Sequence, residues 1–188
     1  MNEPELMSPV VIMGVAGCGK SSFAAALSQA LGWQLIEGDE FHPVENVNKM
    51  RAGVPLTDED RAGWLDVLAN ELVQRGPNAV LTCSALKKAY RDRLRQSVPA
   101  LRFVHLDLTR EQSIARVTQR PGHYFQPALV DSQFAALEKP VDEVGVFTAD
   151  ATQSIETIQA QVCAWLQAKE CVCIQMKPPH VANPLRMR

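Results

Sequence analysis

Short, uniformly apolar runs alternate along the chain with longer segments whose apolar residues recur every three or four positions. The first run, PVVIMGV (9–15), carries no charged or amide side chain, as expected of a strand buried on both faces. Behind it, Phe23, Leu27 and Leu31 mark one face of a helix that Gly32 can close. WQLIEGD (33–39) is the second predicted strand. Two helices follow over about 44–52 and 58–75, with Pro55 between them and Gly76-Pro77 as the stop. NAVLTCS (78–84) is the third strand, and LKKAYRDRLRQS (86–97) a helix with Leu86, Tyr90 and Leu94 on its apolar edge. LRFVHLDL (101–108) is the fourth strand. Thr109 then stands where it can cap the helix REQSIARVTQR, with Glu111 near the positive end. Pro121-Gly122 interrupts the pattern before a helix bearing Leu129, Val130, Phe134 and Leu137. VGVFTAD (144–150) is the fifth strand, and Ile155, Ile158, Val162 and Leu166 mark the last helix.

Five strands alternating with helices predict an α/β fold, a parallel sheet with helices on both faces. A single domain is expected over residues 1–170. The tail at 171–188, with three prolines and mixed polarity, is expected to be irregular. No internal repeat is visible.

Composition narrows the function classes. The 188 residues are 46% hydrophobic, enough for one substantial core. The net charge is −2 with pI near 6.1, so neither a nucleic-acid surface nor a basic membrane anchor is indicated. The opening MNEPELMSP is acidic and lacks an apolar signal region, so export is not expected. Five cysteines, an odd number at scattered spacings, suit free thiols in a cytoplasmic protein.

The first strand runs into Gly14-Val15-Ala16-Gly17-Cys18-Gly19-Lys20-Ser21, a G-x-x-x-x-G-K-S loop followed by Ser22 and the first helix. In such a loop the glycines let backbone N–H groups turn onto phosphates, and the helix adds its positive end. The Lys20 ammonium can bridge the outer phosphates, and the Ser21 hydroxyl is the expected Mg²⁺ ligand. ATP with Mg²⁺ is the expected cofactor pair. The fate of the phosphate is not in the loop. A GTPase would carry N-K-x-D, and NKMR at 48–51 matches only its first half. A motor ATPase would end a buried strand in a carboxylate. AVLTCS ends in Cys83-Ser84, leaving only Asp107 at the end of FVHLD for that role. Cys18, a thiol near a helix amino terminus and Lys20, could be oxidation-sensitive or simply a small residue that fits.

The second strand ends in EGDEFHP, so Asp39 should open onto the same edge as the phosphate loop. There it could orient an acceptor hydroxyl, take its proton late, or hold Mg²⁺ through water; it could equally cap the next turn. His42 could donate to a substrate hydroxyl or be a packed turn residue. Lys49, Arg51 and Arg61 follow. Lys87, Arg91 and Arg95 recur every four residues, while Lys88, Arg93 and Arg95 also suit a solvated helix face. Arg116 and Arg120, beside Pro121-Gly122, suit a lid over about 120–127 that closes on phosphate and excludes water.

The segments GDEFHPVENVNKMRAGVPLTDEDRAGWL, CSALKKAYRDRLR and GHYFQPALVDSQFAALEKP resemble the gluconate kinases (gluconokinases), P-loop small-molecule kinases related to shikimate and adenylate kinases. The likeness runs from about Val10 to Glu170. It implies a P-loop kinase fold with a five-stranded sheet and a small lid, transfer of the γ-phosphate of ATP to the 6-hydroxyl of D-gluconate, and a homodimer. Carried over by position, Gly14 to Ser22 would hold ATP, with Lys20 and Asp39 catalytic and Ser21 on Mg²⁺. Asp39, His42, Arg51, Arg61 and Lys87 would meet gluconate, and Arg116 and Arg120 the lid side of the nucleotide. Ala16 and Cys18 stand where the family reads serine, Phe41 where it reads leucine, and Gly63 where it reads proline. Tyr124 to Gln126 replace the usual Phe-Met-Pro of the lid.

Overall fold

The structure, a computed structural model, describes residues 8–119 and 127–175. Five strands, β1 (Val10–Met13), β2 (Gln34–Glu37), β3 (Ala79–Thr82), β4 (Arg102–Asp107) and β5 (Val146–Asp150), form one sheet in the order β2-β3-β1-β4-β5. Every pairing is parallel, with Val10 opposite Val80 on one side and Arg102 on the other. The all-apolar runs therefore sit where two faces are covered: all four residues of β1 and of β3 are buried. Each strand in the structure is shorter than its predicted run; after β1 and β3 the run continues into buried loop residues, Gly14, Val15 and Cys83.

The described residues form seven helices beside the sheet: α1 (Lys20–Leu31), α2 (Val44–Arg51), α3 (Asp58–Arg75), α4 (Lys88–Ser97), α5 (Arg110–Thr118), α6 (Pro127–Ala136) and α7 (Ile155–Gln175). Side-chain alternation splits the core. Val10, Ile12, Val104 and Leu106 pack with Phe23 and Leu27 of α1 and Ile158, Val162 and Leu166 of α7. Val11, Met13, Leu81 and Phe103 pack with Trp64, Leu65 and Leu68 of α3 and Leu94 of α4.

Helix starts follow their caps. Thr57 Oγ1 accepts from the Asp60 amide while Asp60 Oδ2 accepts from the Thr57 amide, a reciprocal capping box that begins α3. Thr109 and Gln112 repeat the device at α5. The cap expected at Thr109 is present, and Gln112 is its reciprocal partner.

Three expectations shift. The second strand stops at Glu37, and Gly38–Phe41 form a single 3-10 turn. Leu86 and Lys87 precede α4, which begins at Lys88. Helix α7 runs to Gln175, five residues into the segment expected to be irregular; from Ile155 onward the first proline in the sequence is Pro178.

Candidate active site

The carboxyl ends of β1, β2 and β3 open onto one cavity of about 390 Å³. β1 lies between β3 and β4, so the strand order reverses beside it, the position at which open α/β sheets bind ligands. The floor is the loop from Gly14 to Gly19. Gly14 holds φ 141°, and a Cβ there would lie 2.8 Å from the Leu106 carbonyl oxygen, so no other residue passes this point without displacing β4. Gly19 caps α1 without any side-chain cap, which leaves the amides of the first turn and the positive helix end turned toward the cavity. Lys20 Nζ folds back to donate to the Gly14 and Val15 carbonyls, 3.1 Å each.

Across the cavity stand the residues after β2. Asp39 is 85% exposed, with Oδ1 4.0 Å from Nε2 of His42, whose own side chain is 3% exposed. The His42 ring stacks on Trp64 at 4.1 Å, and Trp64 Nε1 donates to the Gly38 carbonyl at 2.8 Å. Trp64 therefore fixes both the turn that carries Asp39 and the plane of His42. Burial pushes the His42 pKa down, partly opposed by Asp39 and aided by Arg61, so the ring is neutral at pH 7. Its Nδ1 is buried with no partner among the described residues. A neutral imidazole with an unsatisfied nitrogen in a cavity wall is a ready partner for a ligand hydroxyl.

A carboxylate that the sequence reading passed over sits between the two sides. Ser21 Oγ donates to Glu37 Oε2 at 3.1 Å, and Thr82 Oγ1 donates to the same oxygen at 2.8 Å. Thr82 Oγ1 also accepts from the Gly38 amide. The strand ends are thus tied to the first turn of α1 through one acidic side chain. The signal was a second carboxylate at the same strand end, two residues before Asp39.

Of the expected residues, Ala16, Gly17, Gly19, Lys20, Ser21, Ser22, Asp39, His42, Arg61 and Arg116 line the cavity. Arg116 donates to the Gly17 carbonyl at 3.4 Å and the Ala151 carbonyl at 2.7 Å, which puts it beside the loop, away from Asp39's wall. Gly14, Val15 and Cys18 shape the loop from beneath; Val15 and Cys18 belong to the core. Cys18 is buried against Gly14, an environment for a small packing residue. Arg51 is exposed at the end of α2 and does not line the cavity. Lys87 also stands outside it, with Nζ 2.7 Å from both carboxylate oxygens of Asp58. Arg120 and residues 121–126 of the expected lid lie outside the described residues.

Two cations leave the cleft altogether. Arg91 is 1% exposed and binds Glu143 and the carbonyls of Ala85, Leu86 and Glu138. Arg95 pairs with Glu143 and lies over the Phe103 ring at 4.6 Å. The face of α4 that carries them packs on the 138–143 loop, where they organise structure. Asp107, the other carboxylate at a strand end, pairs with Lys139 at 2.9 Å and does not line this cavity.

A family model described as an AAA domain matches residues 10–142. The gluconokinase of Gluconobacter oxydans (strain 621H) is 40% identical over 164 residues, 86% of this chain and 92% of that protein. The probable gluconokinase of Schizosaccharomyces pombe (strain 972 / ATCC 24843) is 48% identical over 148 residues, 73% of this chain and 77% of that protein. The crystal structure of a gluconokinase from Sinorhizobium meliloti 1021 superimposes with a TM-score of 0.84 at 40% identity, covering 92% of this chain and 99% of that one. The chain belongs to the gluconokinase family. It is a nucleotide-using P-loop kinase, a phosphotransferase with an alcohol acceptor, acting on a small molecule. The Asp39–His42 turn, Ser84 and the α6 residues Ser132 and Gln133 line the same cavity, with Ser84 and Gln133 directly against the phosphate loop, where they accept from the Gly14 and Ala16 amides. Ser84 is placed there by the carboxyl end of β3; the two α6 residues carried no sequence signal of their own, because only the packing of α6 against α5 and the loop brings them there. Among the described residues, no helix is long and apolar enough to cross a membrane.

Proposed function

We propose that this protein transfers the γ-phosphoryl group of ATP to the 6-hydroxyl of D-gluconate, yielding 6-phosphogluconate and ADP. One observation carries the reading: neutral His42, whose Nδ1 has no partner among the described residues, and the exposed carboxylate of Asp39 line the same cavity as Lys20. That arrangement suits a polyol held between hydroxyl-binding groups and a phosphate cradle.

In this reading the α1 amino terminus and Lys20 hold the phosphates, Lys20 exchanging its two loop carbonyls for phosphate oxygens as ATP enters. The hydroxyl of Ser21 and the carboxylate of Glu37 are hard oxygen donors suited to Mg²⁺, directly or through water. When bound there, Mg²⁺ supplies neutralisation of charge on the outer phosphates. Asp39 accepts a hydrogen bond from the 6-hydroxyl and aims its oxygen at phosphorus. As the new O–P bond forms and the bond to the ADP oxygen breaks, the hydroxyl proton passes to Asp39. His42 orients a neighbouring hydroxyl. Arg61, on the same wall and 5.9 Å from the Tyr90 ring centroid, is the cation for the gluconate carboxylate. Lys87, already neutralised by Asp58, supports it from behind through Tyr90, whose hydroxyl also donates to Asp58.

The test is ADP release from ATP and Mg²⁺ with D-gluconate, shikimate, AMP and related sugar acids as acceptors. Turnover confined to D-gluconate is expected. Turnover with another acceptor and silence with gluconate would overturn the substrate assignment while leaving a P-loop kinase.

A further inference from the structure

The tip of the phosphate loop is held by side chains from two helices outside it. The Ala16 amide donates to Gln133 Oε1 of α6 at 2.7 Å, and the Ala16 carbonyl accepts from Ser113 Oγ of α5 at 2.7 Å. Ser113 is fully buried. A Cβ on Gly17 would meet the Ser113 carbonyl oxygen at 3.0 Å and Val117 Cγ2 at 3.1 Å, so the loop lies pressed against α5. Both polar groups flanking the tip are thereby satisfied by protein. Ala16 and Gly17 line the same cavity as Lys20 and Asp39.

The bond also fixes which way the Gln133 carboxamide points. A backbone N–H can only donate, so the oxygen of Gln133 must face Ala16. Its NH2 group is then the end left for the cavity, which Gln133 lines together with Ser132 and Leu129. A neutral donor at that place sits between the phosphate cradle and the acceptor wall.

We propose that Gln133 positions the transferred phosphoryl group, its oxygen locking the loop tip through Ala16 and its NH2 donating to an oxygen of the terminal phosphate. The proposal rests on the kinase reading above and adds a residue to it. It requires Gln133 to discriminate ATP from ADP, because only ATP carries the phosphate that the NH2 meets. A role confined to bracing the loop would affect both nucleotides alike, since both use the same cradle.

Gln133→Glu separates these roles. It keeps the length and an oxygen for the Ala16 amide but replaces the NH2 donor with a second carboxylate oxygen. Gln133→Ala removes both. ATP and ADP are titrated separately against wild type and variants in Mg²⁺ buffer without acceptor, and melting temperature is recorded beside turnover. In Gln133→Glu we expect an unchanged melting temperature, ADP affinity within about twofold, and ATP affinity lowered about tenfold or more. The kcat with gluconate should fall at least as far while the KM for gluconate stays within about threefold. Equal weakening of ATP and ADP, or wild-type ATP affinity and kcat in Gln133→Glu, would overturn the proposal. Wild-type ATP:ADP discrimination in a folded Gln133→Ala would do the same. The titrations need no acceptor, so they judge Gln133 even if the wild-type protein proved to phosphorylate something other than gluconate.

Discussion

Gly38 and Asp39 are neighbours whose demands are opposite. A Cβ on Gly38 would stand 2.1 Å from the Thr82 carbonyl oxygen, so β2 leaves the sheet this close to β3 only because the side chain is missing. Gly38→Ala should force the turn away from Thr82 and cost about 1–3 kcal/mol of stability, read as a lower urea midpoint, with a loss of turnover as Asp39 shifts. Asp39→Ala is the converse case. It removes an exposed side chain, so the melting temperature should hold while kcat falls by about 10² to 10⁴. ATP affinity should be nearly unchanged. A kcat within threefold of wild type would remove Asp39 from the acceptor site. That the phosphate loop and Asp39 line one cavity was legible in the sequence: a phosphate loop has one workable backbone path, and a carboxylate at a strand end has one edge to face. Glu37 and Gln133 were less so, since their roles depend on which oxygen or amide comes within 3 Å.

Helix α4 shows where periodicity misleads. The four-residue spacing of Lys87, Arg91 and Arg95 places them on one side of a helix, and that spacing says nothing about what the side faces. Lys87 precedes the helix and pairs with Asp58 near the cleft. One turn later Arg91 is sealed under the 138–143 loop, with three carbonyls and the Glu143 carboxylate as partners. Glu143 is held below the usual carboxylate range by Arg91 and Arg95 against the opposing pull of burial. Arg91→Ala should leave those carbonyls unsatisfied and Glu143 short of one partner, costing about 3–5 kcal/mol. Equilibrium urea denaturation would measure it. A loss below about 1 kcal/mol would mean that Arg91 is no structural anchor. The long aliphatic stem of arginine lets it fill a core position while its head finds buried acceptors, so polarity alone cannot place it.

At the scale of the molecule, two histidines link folding to pH. His42 and His105 both have pKa values pushed down, mainly by burial. Each therefore holds fewer protons in the folded chain than in the unfolded one once the pH drops below about 6.5, the unfolded value. Stability should be flat above pH 7, then fall as the pH drops through 6.5 and on toward the folded pKa values. The lowered carboxylates Asp58, Asp60 and Asp66 act in the same direction only at lower pH, below their unfolded values near 4. Urea midpoints at half-unit pH steps would show the first decline near 6.5. In His105→Gln that decline should be shallower, and an identical slope would exclude His105 as a contributor.

The order and number of strands and helices, the caps at Thr57 and Thr109, the phosphate loop and the side of the sheet holding Asp39 follow from local rules. Hydrophobic periodicity, capping residues and glycine placement act over a few residues or along a single element, so they are written in the sequence. What only the tertiary structure decided is the sorting of like residues by long-range contact: Arg61 toward the cavity, Arg91 and Arg95 into a buried ion cluster, Lys87 onto Asp58. The meeting of Gln133 with Ala16, 117 residues apart in sequence, is of the same kind. Such contacts depend on how whole helices pack, where small differences between large burial and desolvation terms choose each side chain's partner.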